Sequence, residues 1–223
     1  MKHTFINYFK NIVYLLVFAG FGSVFAGSYD DFFQAVLNDQ PAPVKRLLDR
    51  GFDANTLDPK GLHGLYIALR EPSLKVAQVL VEWPKTDVNI LNAKDESLLM
   101  LAALKGHQQL AEKLVKRGAD VNKTGWAPLH YAASSGHLPI IAMLIENSAY
   151  IDAESPNGTT PLMMAAMYGT PEAVKLLLQE GADPTLKNVQ GLTALQFAER
   201  AVRPDSVEMI AAAIRSKRPT GQW

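Results

Sequence analysis

Apolar residues recur along the chain in pairs of short stretches separated by polar turns. In the second stretch of each pair, apolar side chains fall three or four residues apart, as they do on one face of an α-helix. Val76, Val79 and Leu80 show this spacing, and Val174 and Leu177 show it again about a hundred residues later. The pattern predicts an all-α fold in which each helix buries one face.

The first stretch of each pair repeats a motif. It reads GWAPLHYAA from Gly125 and GTTPLMMAA from Gly158. Gly-Ala-Asp turns follow the second stretch, as at Gly118 and Gly181, and a left-handed glycine ends a helix at little cost. A leucine anchors each copy of the motif at intervals of 30 to 34 residues: Leu65, Leu99, Leu129, Leu162 and Leu195.

These motifs resemble those of ankyrin-repeat proteins. The resemblance implies an all-α ankyrin-repeat solenoid of about six stacked helix-turn-helix units with finger loops, because one helix pair cannot bury its apolar face alone. We place the repeat domain at residues 27–223, with degenerate units at both ends. The predicted units lie near 29–60, 61–94, 95–124, 125–157, 158–190 and 191–217.

Two departures from the repeat predict local irregularity. The interval between Leu99 and Leu129 is 30 residues, so three residues are missing between Gly118 and Gly125, which shortens one finger. The segment Trp83-Pro84-Lys85-Thr86 lacks the glycine turn, and we expect a distorted connection there.

Residues 1–26 have the layout of a secretory signal peptide. Lys2 and Lys10 precede an apolar run, and Val24 and Ala26 fill the positions that signal cleavage before Gly27 requires. The run is shorter than the roughly 20 residues that span a bilayer, although an uncleaved membrane anchor is the alternative. We therefore expect a periplasmic or secreted protein, cleaved after Ala26.

Charge and cysteine content narrow the function. The chain has 22 basic and 22 acidic residues, and the mature part would have 20 and 22, so no concentrated basic face is expected for nucleic acid. Cysteine is absent, which excludes disulfides, thiolate nucleophiles and cysteine-ligated zinc. We expect a monomer that binds neither nucleic acid nor, in its mature form, a membrane.

Neither histidines nor hydroxyls indicate catalysis. The histidines lie about one repeat apart, and the resemblance implies that they brace neighbouring units rather than bind a metal: His63, His107, His130 and His137. Ser134, His130 and Asp120 could form a triad, but no nucleophile elbow surrounds the serine. No phosphate-binding loop is present. We expect no enzyme activity, no cofactor and no metal.

Groove positions transferred from the resemblance give a candidate partner-binding patch. Trp126, Met167 and Tyr168 lie in adjacent units and form its centre, whereas Met163 and Met164 are expected in the core. The alternative for Trp126 is that it shields the shortened finger. The remaining patch residues are three flanking lysines and three polar groove residues: Lys94, Lys105, Lys123, Ser134, Ser135 and Asn157.

The sequence thus predicts a non-catalytic scaffold that binds another protein through a concave face and its finger loops. Its place would be the periplasm or cell envelope, and the resemblance to exported bacterial ankyrin-like proteins implies a protective or stress-related role. The alternative is a secreted effector that binds host proteins.

Overall fold

The computed structural model describes residues 27–71 and 73–217. These residues form twelve helices and two isolated β-bridges in the fingers, Leu57–His63 and Leu91–Ser97. The helices are α1 (27–37), α2 (Pro41–Asp49), α3 (Gly64–Arg70), α4 (Leu74–Glu82), α5 (Leu98–Lys105), α6 (Gln108–Lys116), α7 (Pro128–Ser135), α8 (Leu138–Glu146), α9 (Pro161–Tyr168), α10 (Pro171–Gln179), α11 (Ala194–Arg200) and α12 (Pro204–Lys217).

The helices stack in two rows. From α3 onward each odd-numbered helix packs on the even-numbered helix that follows it, and each also packs on the equivalent helix of the next unit. The odd-numbered helices from α3 to α11 form an inner row, and the even-numbered helices form an outer row. This arrangement is the predicted solenoid of about six helix-turn-helix units, and it confirms the fold class.

The core follows the inner row. The anchoring leucines Leu65, Leu99, Leu129 and Leu162 are at most 1% exposed, whereas Leu195 in the last unit is partly exposed. The alanine pairs of α5, α7 and α9 are fully buried, and their small side chains let successive inner helices pack closely. Each unit therefore completes its core against its neighbours, as a solenoid requires.

Three inner helices, α5, α7 and α9, end at glycines that are needed for two different reasons. Gly106 and Gly136 cap α5 and α7 in the left-handed conformation, with φ of 75° and 69°. Gly169 caps α9 with φ of −77°, so its conformation does not require glycine. A Cβ there would lie 2.3 Å from the carbonyl oxygen of Ala133, and close packing on α7 excludes a side chain.

Hydroxyl caps start two of the inner helices. The Ser97 hydroxyl accepts a hydrogen bond from the Met100 amide at 3.1 Å, and Thr160 accepts one from Met163 at 3.4 Å. The start of α11, after Thr193, is different. The Gln196 side chain instead accepts from the Thr193 amide at 2.9 Å, because its longer amide reaches back over the first turn.

Asparagine side chains link successive finger turns. Asn55, Asn89 and Asn122 each follow an aspartate by two residues, and each amide nitrogen donates to a backbone carbonyl of the next unit's turn, those of Lys85, Gly118 and Ser148. Each amide oxygen accepts a backbone amide of that same turn, at 2.7–2.8 Å. In the next unit Asp152 occupies the equivalent position and accepts the Asp183 amide at 3.0 Å.

The two predicted irregularities appear at their expected places. Residues 117–127 join α6 to α7, three fewer than the residues 147–160 that join α8 to α9. The helix α4 ends at Glu82, and the next residue, Trp83, is extended rather than left-handed. The Arg117 guanidinium donates to four carbonyl oxygens of this turn at 2.8–3.2 Å, those of Val81, Trp83, Pro84 and Thr86.

Among the helices of the described residues, none combines the length and apolar character needed to cross a membrane. The signal peptide expected at residues 1–26 lies outside the described residues and stays a prediction.

Candidate protein-binding groove

A groove of about 400 Å³ lies on the inner row where α5, α7 and α9 pack side by side. It spans three successive units and is lined mainly by aromatic and aliphatic side chains, with a few polar groups. Such a mixture suits recognition of an apolar side chain. The lining residues are Leu104, Trp126, His130, Tyr131, Ser134, Ser135, Met164 and Tyr168.

The repeat places these side chains in register. Tyr131 and Met164 each follow an anchoring leucine by two residues, so both stand on the same face of successive inner helices. Leu104 and Ser134 each lie five residues after their leucine, near the ends of α5 and α7. One repeat position therefore supplies the floor of the groove, and a second supplies an edge.

Trp126 packs against α7 and also lines the groove. Its ring packs edge-on against His130 at 5.2 Å between centroids and against Tyr131 at 6.4 Å. It is partly exposed, and it lines the groove. The indole is therefore held against the first turns of α7 while part of its surface stays exposed in the groove.

The structure brings together four of the predicted patch residues: Trp126, Ser134, Ser135 and Tyr168 all line the groove. Tyr168 is 59% exposed. The large aromatic surface of a tyrosine and a tryptophan is common where partner proteins bind tightly.

The expectation of core methionines holds for Met163 and fails for Met164. Met163 is 1% exposed, whereas Met164 is partly exposed and lines the groove. Met167 is partly exposed but is not among the lining residues. Residues three apart on a helix differ by only about 60° in direction, so Met164 and Met167 lie on the same side of α9.

The other predicted patch residues lie outside the lining set. Lys94 and Lys105 are exposed, and Lys105 directly follows Leu104 at the end of α5. Lys123 forms an ion pair with Asp95 and is only 11% exposed, so its charge is already matched. Asn157 shapes its finger, since its amide oxygen accepts from the Ser155 hydroxyl at 2.6 Å.

The Glu96 carboxylate, in the finger that precedes α5, is hydrogen-bonded within the chain. Glu96 accepts hydrogen bonds from the Tyr66 hydroxyl at 2.8 Å and from the Asn92 amide at 2.7 Å. Burial raises the pKa of Tyr131, and the nearby charges of Glu96 and Asp95 raise it further. Tyr131 therefore stays a neutral phenol that can donate a hydrogen bond.

The groups of the imagined triad do not assemble. The Ser134 hydroxyl donates to the Tyr131 carbonyl at 2.9 Å. His130 is fully buried; its Nδ1 accepts from the Ala127 amide at 3.1 Å, and its Nε2 donates to the Thr159 carbonyl at 2.9 Å. With both ring nitrogens occupied by backbone, His130 holds one unit on the next and has no free nitrogen to act as a base.

Two other histidines also brace the stack, as the resemblance implied. The Nε2 of His107 donates to the Leu69 carbonyl at 3.1 Å, and that of His137 donates to the Leu104 carbonyl at 3.3 Å. Within the described residues, no three histidine or carboxylate side chains converge as metal ligands would.

His63 and His130 are held neutral. Burial lowers the pKa of His63 to about 4, against the raising effect of Asp87 and Asp53. Burial also lowers the pKa of His130. In both rings Nδ1 accepts a backbone amide, so protonation would break a hydrogen bond as well as bury a charge.

Comparison with known protein families identifies the repeat. A family model for ankyrin repeats matches three overlapping segments, residues 32–124, 65–155 and 148–218. The chain belongs to the ankyrin-repeat family. Ankyrin repeats are in general modules for protein–protein interaction, and the match indicates no enzyme family.

Similar segments occur in much longer proteins. The chain is 32% identical over 115 residues to neurogenic locus notch homolog protein 1 of Xenopus laevis, covering 50% of this chain and 5% of that protein. It is 28% identical over 133 residues to the nuclear factor NF-kappa-B p105 subunit of Gallus gallus, covering 56% and 14%. The similarity therefore concerns the repeat array, and these ankyrin-repeat proteins have large regions without counterpart here.

Proposed function

We propose that this chain is a non-catalytic scaffold that binds a partner protein through the groove and the adjoining finger turns. The observation that carries the proposal is the continuous apolar and aromatic lining contributed by three units, with Trp126 and Tyr168 partly exposed within it. Its backbone is fixed by the stacked helices, so little conformational entropy is lost when a partner binds.

Substitution of the two aromatic residues tests this proposal. Mature protein and the double variant Trp126→Ala/Tyr168→Ala are used to capture partners from an envelope extract of the native cell. We expect each substitution to weaken binding of the captured protein, measured by calorimetry with the purified partner, by about 2 kcal/mol. The matched control is Leu37→Ala, because Leu37 is a large apolar residue of α1 that is 50% exposed and lies outside both the groove and the finger turns.

Circular dichroism and urea unfolding establish that the variants are folded. A folded double variant that binds the same partner as tightly as the wild type would contradict the proposal.

We propose that the protein acts in the periplasm or cell envelope, on the strength of the basic and apolar pattern of residues 1–26. Fractionation of the native cell, followed by N-terminal sequencing of the isolated protein, tests it. We expect an extracytoplasmic protein that begins at Gly27. A cytoplasmic protein that retains Met1 would contradict the proposal.

A further inference from the structure

The hydrogen-bonding groups in and beside the groove can all donate. The Trp126 indole N–H and the Lys105 ammonium can only donate, and a neutral tyrosine or serine hydroxyl can also donate. Among the described residues, no protein group accepts a hydrogen bond from the side chains of Trp126, Tyr131, Ser135 or Lys105. The groove therefore has an apolar floor beside several donors that a partner could satisfy.

The basic and acidic side chains around the groove differ in whether they already have partners in the chain. Lys105 and Lys94 are exposed, and neither takes part in the ion pairs of the described residues. The carboxylates of the same region, by contrast, have partners in the chain: Asp95 pairs with Lys123, and Glu96 accepts from Tyr66 and Asn92. Glu96 keeps its negative charge because both of its donors are neutral, and the two exposed lysines outweigh it, so the net charge left for a partner at this rim is positive.

From this complementarity we propose that the groove binds an acidic segment of the partner protein, in which an aromatic or aliphatic side chain stands next to aspartate or glutamate. The apolar side chain enters the pocket between Leu104, Tyr131 and Met164. The neighbouring carboxylate accepts from the Trp126 indole N–H and pairs with Lys105. This inference rests on the proposed function and names the chemistry of its partner.

The size of the groove agrees with such an occupant. Its volume of about 400 Å³ is within the range of pockets that take one large side chain and part of its flanking backbone. Anions gain from donors that are already fixed in place, and charge-assisted hydrogen bonds are about twice as strong as neutral ones.

The test is a selection of random twelve-residue peptides displayed on phage, carried out on the full chain. Parallel selection on the Trp126→Ala/Tyr168→Ala variant removes peptides that bind elsewhere. We expect the remaining peptides to contain aspartate or glutamate within two residues of an aromatic or aliphatic residue. The strongest peptides are then synthesised with a fluorescent label, and their affinity is measured by polarisation.

Reversal of the charge of Lys105 is the decisive experiment. Lys105→Glu should weaken binding of these peptides about tenfold, because it replaces an attraction by a repulsion. Lys175→Glu is the matched control, since Lys175 is an exposed lysine of the outer row, and it should change affinity less than twofold. Replacement of the peptide carboxylates by amides should reduce binding to the wild type and abolish the difference between the wild type and Lys105→Glu.

The outcomes separate this inference from the proposed function. Peptides that need Trp126 but show no enrichment of acidic residues, or that bind Lys105→Glu as well as wild type, would overturn the acidic partner and leave the scaffold proposal standing. If no peptide prefers the wild type to the double variant, both proposals are contradicted. Because Lys105 is exposed, its substitution reports on binding without disturbing the core.

Discussion

The turns that follow α4 and α6 both lead from an outer helix into a finger, yet they satisfy their backbone differently. After α6, Gly118 adopts a left-handed conformation with φ of 86°, and the Ala119 amide donates to the Leu114 carbonyl at 2.9 Å. After α4 the chain continues in extended conformation through Trp83, and four carbonyls of the turn accept from Arg117. Hydrogen bonds within the turn close the turn after α6, whereas the turn after α4 also depends on an arginine of the following unit.

This difference has a consequence for the stack. The backbone hydrogen bonds that close the glycine turn have both partners within a few residues, so they persist when the neighbouring units loosen. The turn at Trp83 has a local hydrogen bond from the Thr86 amide to the Trp83 carbonyl, but its four hydrogen bonds from Arg117 exist only while the next unit is docked. The junction between the second and third units is therefore the one at which local structure depends most directly on unit stacking.

Removal of the Arg117 side chain should have the largest effect on the difference between these two turns. Arg117→Ala leaves four carbonyl oxygens without their donor, and we expect the free energy of unfolding to fall by about 3 kcal/mol, since the loss of a charged donor to partly buried acceptors is costly. Arg117→Lys should recover only part of this, because an ammonium cannot match the fork of the guanidinium. Urea unfolding followed by circular dichroism measures both.

The matched control is Arg46→Ala, at an exposed arginine of α2 in the same last-turn region. It should change stability by less than about 0.5 kcal/mol. Equal effects of the two substitutions would mean that the Arg117 hydrogen bonds do not hold the turn.

Acid should weaken the preceding junction, between the first and second units, through His63. The His63 Nε2 donates to the Asn55 amide oxygen, and Asn55 in turn contacts the backbone of Lys85 and Asp87 just after the irregular turn. The pKa of His63 is about 4 in the folded chain, below its ordinary value of 6.5. Its contribution to stability is therefore complete above pH 6.5 and is lost as the pH falls toward 4.

From that pKa we expect stability to be about 2 kcal/mol lower at pH 5 than at pH 7.5 through His63 alone, and His130 acts in the same direction. His63→Asn keeps a side chain able to cap α3 and should flatten the pH dependence by that amount in urea unfolding at the two pH values. An unchanged slope in this variant would show that His63 is not the group that titrates.

The sequence predicted the regular parts of this molecule because they are local. A repeat of leucine, alanine and glycine positions is visible in one chain, and it specifies helices, their order and their stacking. It also showed that the segment from Trp83 to Thr86 departs from the pattern. It did not show that Arg117 donates hydrogen bonds to the carbonyls of this turn. Arg117 lies some thirty residues away and has the sequence pattern of the basic end of an ordinary helix.

The candidate site was predicted less completely, for a related reason. Trp126 and Tyr168 stand out by their size at groove positions, and both line the groove. Helical phase does not decide between Met164 and Met167, because residues three apart lie on the same side of a helix, and α9 carries apolar residues on every side. The pairing of Lys123 with Asp95 depends on contact between two fingers, which the spacing of the residues does not reveal.

The asparagine links offer a milder test of the regular junctions. Asp152 accepts the Asp183 amide as the asparagines do, but a carboxylate has no N–H to give to the carbonyl of Gly181. Asp152→Asn should therefore add one hydrogen bond between units and raise the free energy of unfolding by about 1 kcal/mol. The reverse change, Asn122→Asp, should lower it similarly because it removes the donor to Ser148. Urea unfolding that gives the same sign for both would refute this reading.

The smallest effect concerns the glycine turns themselves. Ser148 takes the position of Gly118 one unit later, and its φ of 66° is unfavourable for a residue with a side chain. Ser148→Gly relieves that strain but increases the entropy of the unfolded chain, so we expect a net gain of about 0.5 kcal/mol.

Gly118→Ser is the matched reversal, since a Cβ at Gly118 would meet no atom within 4 Å and only the backbone conformation opposes it. It should lower stability by about the same 0.5 kcal/mol in thermal and urea unfolding. Both changes leave the Asn122 link to the Ser148 carbonyl in place, so the pair isolates the turn conformation from the contact between units. If neither substitution alters stability, the left-handed turns are held by their neighbours rather than by their own residues, and the contrast with the Arg117 turn disappears.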